Sequence, residues 1–262
     1  KIEPENTVND LIGQMEVEIE KDRNSAVGWR YLMQPWLRTP LMIAVCIMFF
    51  QQFVGINTVI YYSPKIFLMA GFESTLSAIW ASVGIGIVNV VFTVISLYLV
   101  DRIGRRKLYF IGLSGIAFSV LCLSACFIYA NQLGEIGRWL MVIFMFGYVA
   151  FFAISIGPLG WLVISEIFPQ KVRGLGTSIG SLAVWIFNCI VSFTFFKIID
   201  FFSIPGTEIV VGQTTSENPA GAFFLYGFIA VLGLVWGYLF LPETKGLSLE
   251  EIEQKWRKNR EC

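Results

Sequence analysis

The 262-residue chain contains no histidine, and Lys, Arg, Asp and Glu together make up 15% of it, against about 25% in soluble domains. Without histidine it lacks the commonest metal ligand, the usual general base and the usual pH switch. Charge is absent where it would be most informative: no Asp, Glu, Lys or Arg falls inside the apolar core of any long hydrophobic run. Carboxylates at bilayer depth are the usual proton or sodium relays, so any ion-coupling group must lie elsewhere. The formal net charge of +0 excludes the broad basic field expected of a nucleic-acid partner. Cysteine is sparse, at five. Cys46, Cys122, Cys126 and Cys189 lie in apolar runs, where free buried thiols are expected, and Cys262 ends the chain. Cys122 and Cys126 make no metal site without further ligands, so neither metal nor cofactor is expected, and covalent catalysis is disfavoured. No secretory signal opens the sequence. Lys1-Ile2-Glu3-Pro4-Glu5 lacks an initiator Met, so the chain is expected to begin inside a longer protein.

What is present is apolar: 56% of the residues are hydrophobic, the composition of a polytopic membrane protein. Runs of about 20 apolar residues cross the hydrocarbon core as helices. Six are expected, at about 41–62 (extended by 63–70), 77–100, 108–129, 139–165, 177–198 and 221–241. Basic residues cluster between spans two and three (Asp101-Arg102-Ile103-Gly104-Arg105-Arg106-Lys107), between four and five (Lys171, Arg173), and after span six (Lys245, Lys255, Arg257, Lys258, Arg260). The alternate connections are poor in base; residues 130–138 hold only Arg138. The positive-inside rule then places both ends of the chain and the basic loops in the cytoplasm, which an even span count requires. Residues about 5–24 form an amphipathic helix on Val8, Leu11, Ile12, Met15 and Ile19, with Asn6 or Thr7 at its start, and a second short helix precedes Pro35. The tail carries a capping box, Ser248-Leu249-Glu250-Glu251, before a Leu249, Ile252, Trp256 stripe, so a helix lying against the bundle is expected there.

Polar groups interrupt the spans. The first holds Gln51-Gln52-Phe53-Val54-Gly55-Ile56-Asn57-Thr58-Val59-Ile60-Tyr61-Tyr62, and Gly55 offers a bend. A carboxamide carries two donors and a two-lone-pair acceptor, and leaving these unpaired in hydrocarbon costs several kilocalories. Gln51, Gln52 and Asn57 are therefore expected to face a wet cavity or a polar ligand, and neutral amides suit a neutral, hydroxyl-rich solute better than an ion. Asn89 in the second span fits interhelical glue as well as a ligand role. The fourth span has Ser155, Gly157, Pro158, Gly160 and Trp161, and Gly-Pro-Leu-Gly is expected to kink it. Trp161 suits a cavity wall or an interfacial anchor. Trp185 and Asn188 lie one turn apart in the fifth span. Tyr61 and Tyr62 fit a gate or an aromatic belt. The charges of the basic loops read either as topology signal or as ion pairs joining helix ends, Asp101 with Arg102, Arg105 and Arg106, and Glu166 with Arg173.

Gln-Gln-x-x-Gly-x-Asn-x-x-x-Tyr-Tyr, Asp-Arg-x-Gly-Arg-Arg, Ser-Glu-Ile-Phe-Pro-x-x-x-Arg-Gly and Pro-Glu-Thr-Lys-Gly occur in this order between the predicted spans. Together they resemble the C-terminal half of the sugar porter family of the major facilitator superfamily, over nearly the whole chain. The stretch Phe152 to Trp161 is most similar to bacterial proton-coupled monosaccharide symporters, and Ala153 stands where several animal glucose carriers have glutamate. The resemblance implies an all-α membrane protein: a six-transmembrane-helix bundle forming half of a twelve-helix fold, with cytoplasmic amphipathic helices. It implies an intracellular helical segment at 1–37, a transmembrane domain at 38–242 and a cytoplasmic tail at 243–262. The implied sugar-binding residues are Gln51, Gln52, Asn57, Asn89, Trp161, Trp185 and Asn188, and the implied gate is Tyr61 and Tyr62. Asp101, Arg102, Arg105, Arg106, Glu166, Arg173 and Glu243 would form a cytoplasmic salt-bridge network. The expected function is alternating-access transport of a hexose or pentose across the plasma or bacterial inner membrane, with a proton as co-substrate and an N-terminal six-helix half as partner. A facilitative uniporter and a non-transporting sugar receptor are the alternatives.

Overall fold

A computed structural model describes residues 29–72, 74–203, 208–211, 214–246, 251–252 and 256. The amphipathic segment expected at 5–24 and the capping box at 248–251 lie outside these, apart from Glu251. Six helical segments are long and apolar enough to cross a membrane, as the hydropathy pattern predicts. A short helix α1 (Trp29–Leu32) and a 3₁₀ turn (Pro35–Leu37) lead into the first span, which is two helices, α2 (Arg38–Phe53) and α3 (Ile56–Met69). Then come α4 (Thr75–Ile103) and α5 (Arg105–Ile128), joined at Gly104. The fourth span is again double, α6 (Ala130–Ile154) and α7 (Ile156–Ile167). A 3₁₀ turn (Gln170–Val172) precedes α8 (Arg173–Phe201), and α9 (Ala220–Phe240) completes the bundle.

Two expectations need correction. Residues 130–138 are helical rather than a loop; α6 begins at Ala130, and the polar start is absorbed by one non-helical residue, Gly134 at φ +53°. The all-α bundle stands as expected, with a small hairpin in the connection between α8 and α9: strands β1 (Ile209–Val211) and β2 (Thr214–Ser216) pair antiparallel, with Val210 opposite Thr215. Their β-branched run favours the extended backbone once the chain leaves the apolar span. The cysteines at 46, 122, 126 and 189 are free, but of these only Cys126 is buried and Cys189 is exposed. In lipid an exposed thiol has no desolvation cost to avoid.

Packing is organised by groups that find partners inside the protein because hydrocarbon provides none. The Tyr109 hydroxyl of α5 donates to Gly233 O of α9 at 3.0 Å, and Ser124 Oγ donates to Ala220 O at 2.7 Å. Asn218 Nδ2 donates to Phe127 O at 2.8 Å while its Oδ1 accepts from Ala220 N, tying the start of α9 to the end of α5. Outward, α4 exposes an apolar face of Trp80, Ile87, Val90, Val94, Leu97 and Tyr98. Ile252 and Trp256 of the tail are buried, as the stripe predicts.

The two interruptions place the site. At the first, Gly55 takes φ +88°, a left-handed conformation that stops α2 and lets α3 restart at a new angle. Space requires glycine as well: a Cβ at Gly55 would stand 2.3 Å from the Tyr226 ring. At the second, the break falls at Ser155 (φ −128°, ψ −101°) and not at the Gly-Pro pair. Pro158 instead occupies the first turn of α7, where its missing N–H leaves no helix bond unmade. Ser155 Oγ donates to Phe151 O at 2.7 Å, and its close approach to α5 is possible because residue 112 is glycine, where a Cβ would lie 1.6 Å from that oxygen.

Gly71 also has positive φ, +93°, but nothing lies within 4 Å of its Cβ position. Gly71→Ala is therefore expected to cost about 1–2 kcal/mol of backbone strain. Gly55→Ala adds overpacking against Tyr226, for about 2–5 kcal/mol in all. Melting of the detergent-solubilised protein should rank them accordingly; equal losses would remove the wedge from the account of the first break.

Candidate functional site

The three carboxamides of the first span form one string across both interruptions. Gln51, in the last turn of α2, donates from Nε2 to Ile156 O at 3.1 Å and to Gly157 O at 2.7 Å, the first two residues of α7. Gln52 Nε2 donates to Gln51 Oε1 at 3.3 Å, and Asn57 Nδ2 of α3 donates to Gln52 Oε1 at 2.6 Å. Gln51 and Gln52 are 3% and 4% exposed, while Asn57 is half-buried. Both Gln51 N–H groups are thus committed to α7, which makes this residue a brace whose remaining valence is a lone pair on Oε1. One N–H of Gln52, and one N–H and the carbonyl oxygen of Asn57, have no partner among the described residues. Donors and an acceptor of this kind suit hydroxyls, each of which donates and accepts.

The other expected residues divide. Asn188 of α8 is buried; its Nδ2 donates to the Tyr61 hydroxyl at 3.3 Å and its Oδ1 accepts from Ser192 Oγ at 3.1 Å. Tyr62 stacks on Phe195 with centroids 5.5 Å apart, and its hydroxyl lies 3.4 Å from Ser192 O. Both tyrosines therefore join α3 to α8. Trp161 is partly exposed on α7, one residue after Gly160, whose Cβ position is 3.0 Å from Gln51 Nε2. Trp185 is 67% exposed, and Asn89 is half-buried on α4. Among the described residues no hydrogen bond joins Asn89, Trp161 or Trp185 to the amide string.

At the end assigned to the cytoplasm, Arg105 grips Glu166 by Nη2–Oε1 at 2.7 Å and by Nε at 3.2 and 3.3 Å to the two oxygens. Asp101 adds a longer contact to Arg105 Nη1, 3.4 Å. Glu243, just beyond α9, accepts from the backbone N–H groups of Arg105 (3.0 Å) and Arg106 (3.1 Å). These are orphan donors of the first turn of α5, so Glu243 caps that helix from a distant segment and complements its dipole. The ion pairs differ from those expected. Glu166 does not pair with Arg173: its oxygens are filled by Arg105 and by Thr244 Oγ1 at 2.5 Å, and Arg173 Nε and Nη2 are buried with no partner among the described residues. Arg102 contributes its carbonyl, to Lys245 Nζ at 2.7 Å. Arg106 donates to Tyr238 O at 2.7 Å instead of pairing with Asp101.

Sequence reasoning missed Thr244 and two buried tyrosines, Tyr148 and Tyr226. The available signal was a phenol far from either end of an apolar run, since a hydroxyl there must find an acceptor.

A double-mutant cycle on Arg105→Ala and Glu166→Ala is expected to give a coupling of about 1–3 kcal/mol in thermal stability, since both groups are largely buried and forked together. The cycle Arg173→Ala with Glu166→Ala should give close to none. Gln51→Ala removes both hydrogen bonds to α7 and is expected to cost about 1–3 kcal/mol, read by melting; an unchanged midpoint would refute its bracing role.

A family model for sugar (and other) transporters matches residues 1–256. The chain is 38% identical over 229 residues to the glucose transporter GlcP of Staphylococcus epidermidis, an alignment covering 87% of this chain and 47% of that protein. It is 35% identical over 241 residues to the D-xylose-proton symporter of Escherichia coli, covering 92% and 46%. In structure it superposes on the proton:xylose symporter XylE bound to 6-bromo-6-deoxy-D-glucose with a TM-score of 0.72 and 34% identity, covering 95% of this chain and 49% of that one. The chain spans about half the length of the curated relatives it matches. The chain is a multi-pass membrane protein of the sugar transporter family within the major facilitator superfamily.

Proposed function

We propose that the protein containing this chain carries a monosaccharide, a hexose or pentose, across the membrane by alternating access, coupled to a proton. The observation that carries the reading is the carboxamide string, Asn57 to Gln52 to Gln51 to the start of α7, with its uncommitted donors and acceptor beside a glycine hinge. Such groups discriminate sugars because a missing or inverted hydroxyl leaves an amide unpaired. The similarity to a glucose transporter and to a xylose-proton symporter supports the same substrate class.

In this reading Gln52 and Asn57 bind the sugar directly, Gln51 holds them in place and presents Oε1, and Trp161 stacks on a sugar face. Asn188 reaches the sugar beside Tyr61, while Asn89 and Trp185 complete the wall of the pathway. Tyr61 and Tyr62 close the outer side. The cytoplasmic cluster of Asp101, Arg102, Arg105, Arg106, Glu166, Arg173 and Glu243 opens on the inner side, with the unpaired nitrogens of Arg173 suited to a carboxylate from an N-terminal six-helix half. Segments 1–37 and 243–262 lie in the cytoplasm, flanking the transmembrane domain 38–242. The carboxylates of the described spans, Asp101, Glu135, Glu166 and Asp200, stand near helix ends and not in the apolar core, so the coupling carboxylate is assigned to the N-terminal half.

The test is counterflow of labelled xylose, glucose and their epimers in proteoliposomes of the purified transporter, with and without a pH gradient. Exchange that an acid exterior accelerates supports the reading. Exchange indifferent to pH makes the protein a uniporter, and sugar binding without exchange makes it a receptor. Asn57→Ala is expected to raise the half-saturating sugar concentration about three- to tenfold, the effect of one lost net hydrogen bond. Unchanged affinity would remove Asn57 from the site.

A further inference from the structure

A helix interrupted in hydrocarbon must find donors for the carbonyls its interruption frees. At the first break that carbonyl belongs to Val54. In a continuous helix it would accept from the amide of Thr58, four residues on. With Gly55 at φ +88° that bond is not made, and the Tyr148 hydroxyl, reaching across from α6, donates to Val54 O at 2.9 Å. Tyr226 of α9 packs against the break and leaves no room for a side chain at residue 55. Its ring occupies the space beside Gly55, 2.3 Å from the Cβ position, and its hydroxyl lies 3.4 Å from Thr58 Oγ1. Thr58 Oγ1 in turn donates to Gly55 O at 2.7 Å, a carbonyl that also accepts from the Val59 amide at 3.3 Å, so it is Val54 O that depends on a side chain from another helix. Both tyrosines are almost fully buried, they come from different helices, and neither belongs to the amide string.

We propose that Tyr148 and Tyr226 are positioning residues that set the angle between α2 and α3, and that the Val54 carbonyl switches between two donors as α3 moves. In the bent form the donor is the Tyr148 hydroxyl; in the straight form it is the Thr58 amide. One bond to the Val54 carbonyl is therefore exchanged for another, so that this acceptor keeps a donor as α3 changes direction. Because α3 carries Asn57, Tyr61 and Tyr62, this donor exchange determines whether Asn57 meets Gln52 and where the two tyrosines lie. The proposal deepens the transport reading and rests on it only for its functional consequence.

The test is Tyr148→Phe, which keeps the ring and removes only the donor, made in the full transporter and followed by peptide-resolved hydrogen exchange. With its partner gone, Val54 O recruits the Thr58 amide, so amides of residues 56–59 are expected to exchange about three- to tenfold more slowly. Simple loss of packing predicts the opposite sign. Tyr109→Phe is the control: it deletes an equally buried hydroxyl-to-carbonyl bond, to Gly233, away from the break, and it should give no slowing at 56–59. In transport, Tyr148→Phe is expected to raise KM about three- to tenfold while changing kcat less, since it moves a binding group without touching the cytoplasmic cluster. Unchanged or faster exchange at 56–59 overturns the donor switch. Slower exchange in a protein that moves no sugar upholds the switch and overturns the transport reading instead.

Discussion

Hydrocarbon offers a broken helix no hydrogen-bond partner, and this constraint decides most of the structure. Two of the six spans are interrupted, and each interruption exposes backbone groups whose neglect would cost about 2 kcal/mol or more apiece. The chain places the two defects against each other. Gln51, at the end of α2, gives both of its amide protons to the first carbonyls of α7, so one interruption is stabilised by a side chain that flanks the other. Gln52 and Asn57 then extend the string along the first span. The same side chains that would be intolerable in a continuous lipid-facing helix become the connection between two broken ones, and their leftover valences are the chemical basis of the proposed sugar site.

The charged end obeys the same rule in a wetter setting. Glu166 and Glu243 each receive several donors, and none of the strong contacts is a simple surface pair. Arg105 supplies a fork to Glu166, while Glu243 caps the start of α5 through two backbone amides. The end of α7, the start of α5 and the segment leaving α9 are thereby fixed to one another. A cluster built this way holds three elements in a single geometry, and releasing one carboxylate loosens all three.

Hydropathy made the six spans legible, because length and exclusion of charge are strong constraints in lipid. Gly55 was legible for a similar reason: glycine between carboxamides has few other uses. Pro158 misled, since proline signals a kink only in a helix interior, and here it lies in a first turn while Ser155 makes the break. Residues 130–138 misled because polarity was equated with a loop, although a helix emerging from the membrane tolerates polar residues readily. The partner of Glu166 was not readable either. Sequence spacing relates Glu166 to Arg173, but the fold brings Arg105 there first, and a carboxylate already filled by a fork and a hydroxyl has no room for a second arginine. Tyr148 and Tyr226 were invisible as hinge residues because their meaning comes from α2 and α3, far away in sequence.

The two interruptions are not equivalent, and their difference assigns the motion. Ser155 is enclosed by α5: glycine at 112 admits its side chain, and at 115 the Phe151 ring stands 2.3 Å from the Cβ position. Its neighbours Ile156 and Gly157 are bound to Gln51. Displacing α7 from α6 would break these contacts with no replacement in view. At Val54 and Gly55 a second donor for the freed carbonyl already exists within the helix itself. Movement is cheapest where hydrogen bonds can be exchanged instead of lost, so the proposed donor exchange favours displacement of α3 over displacement of α7.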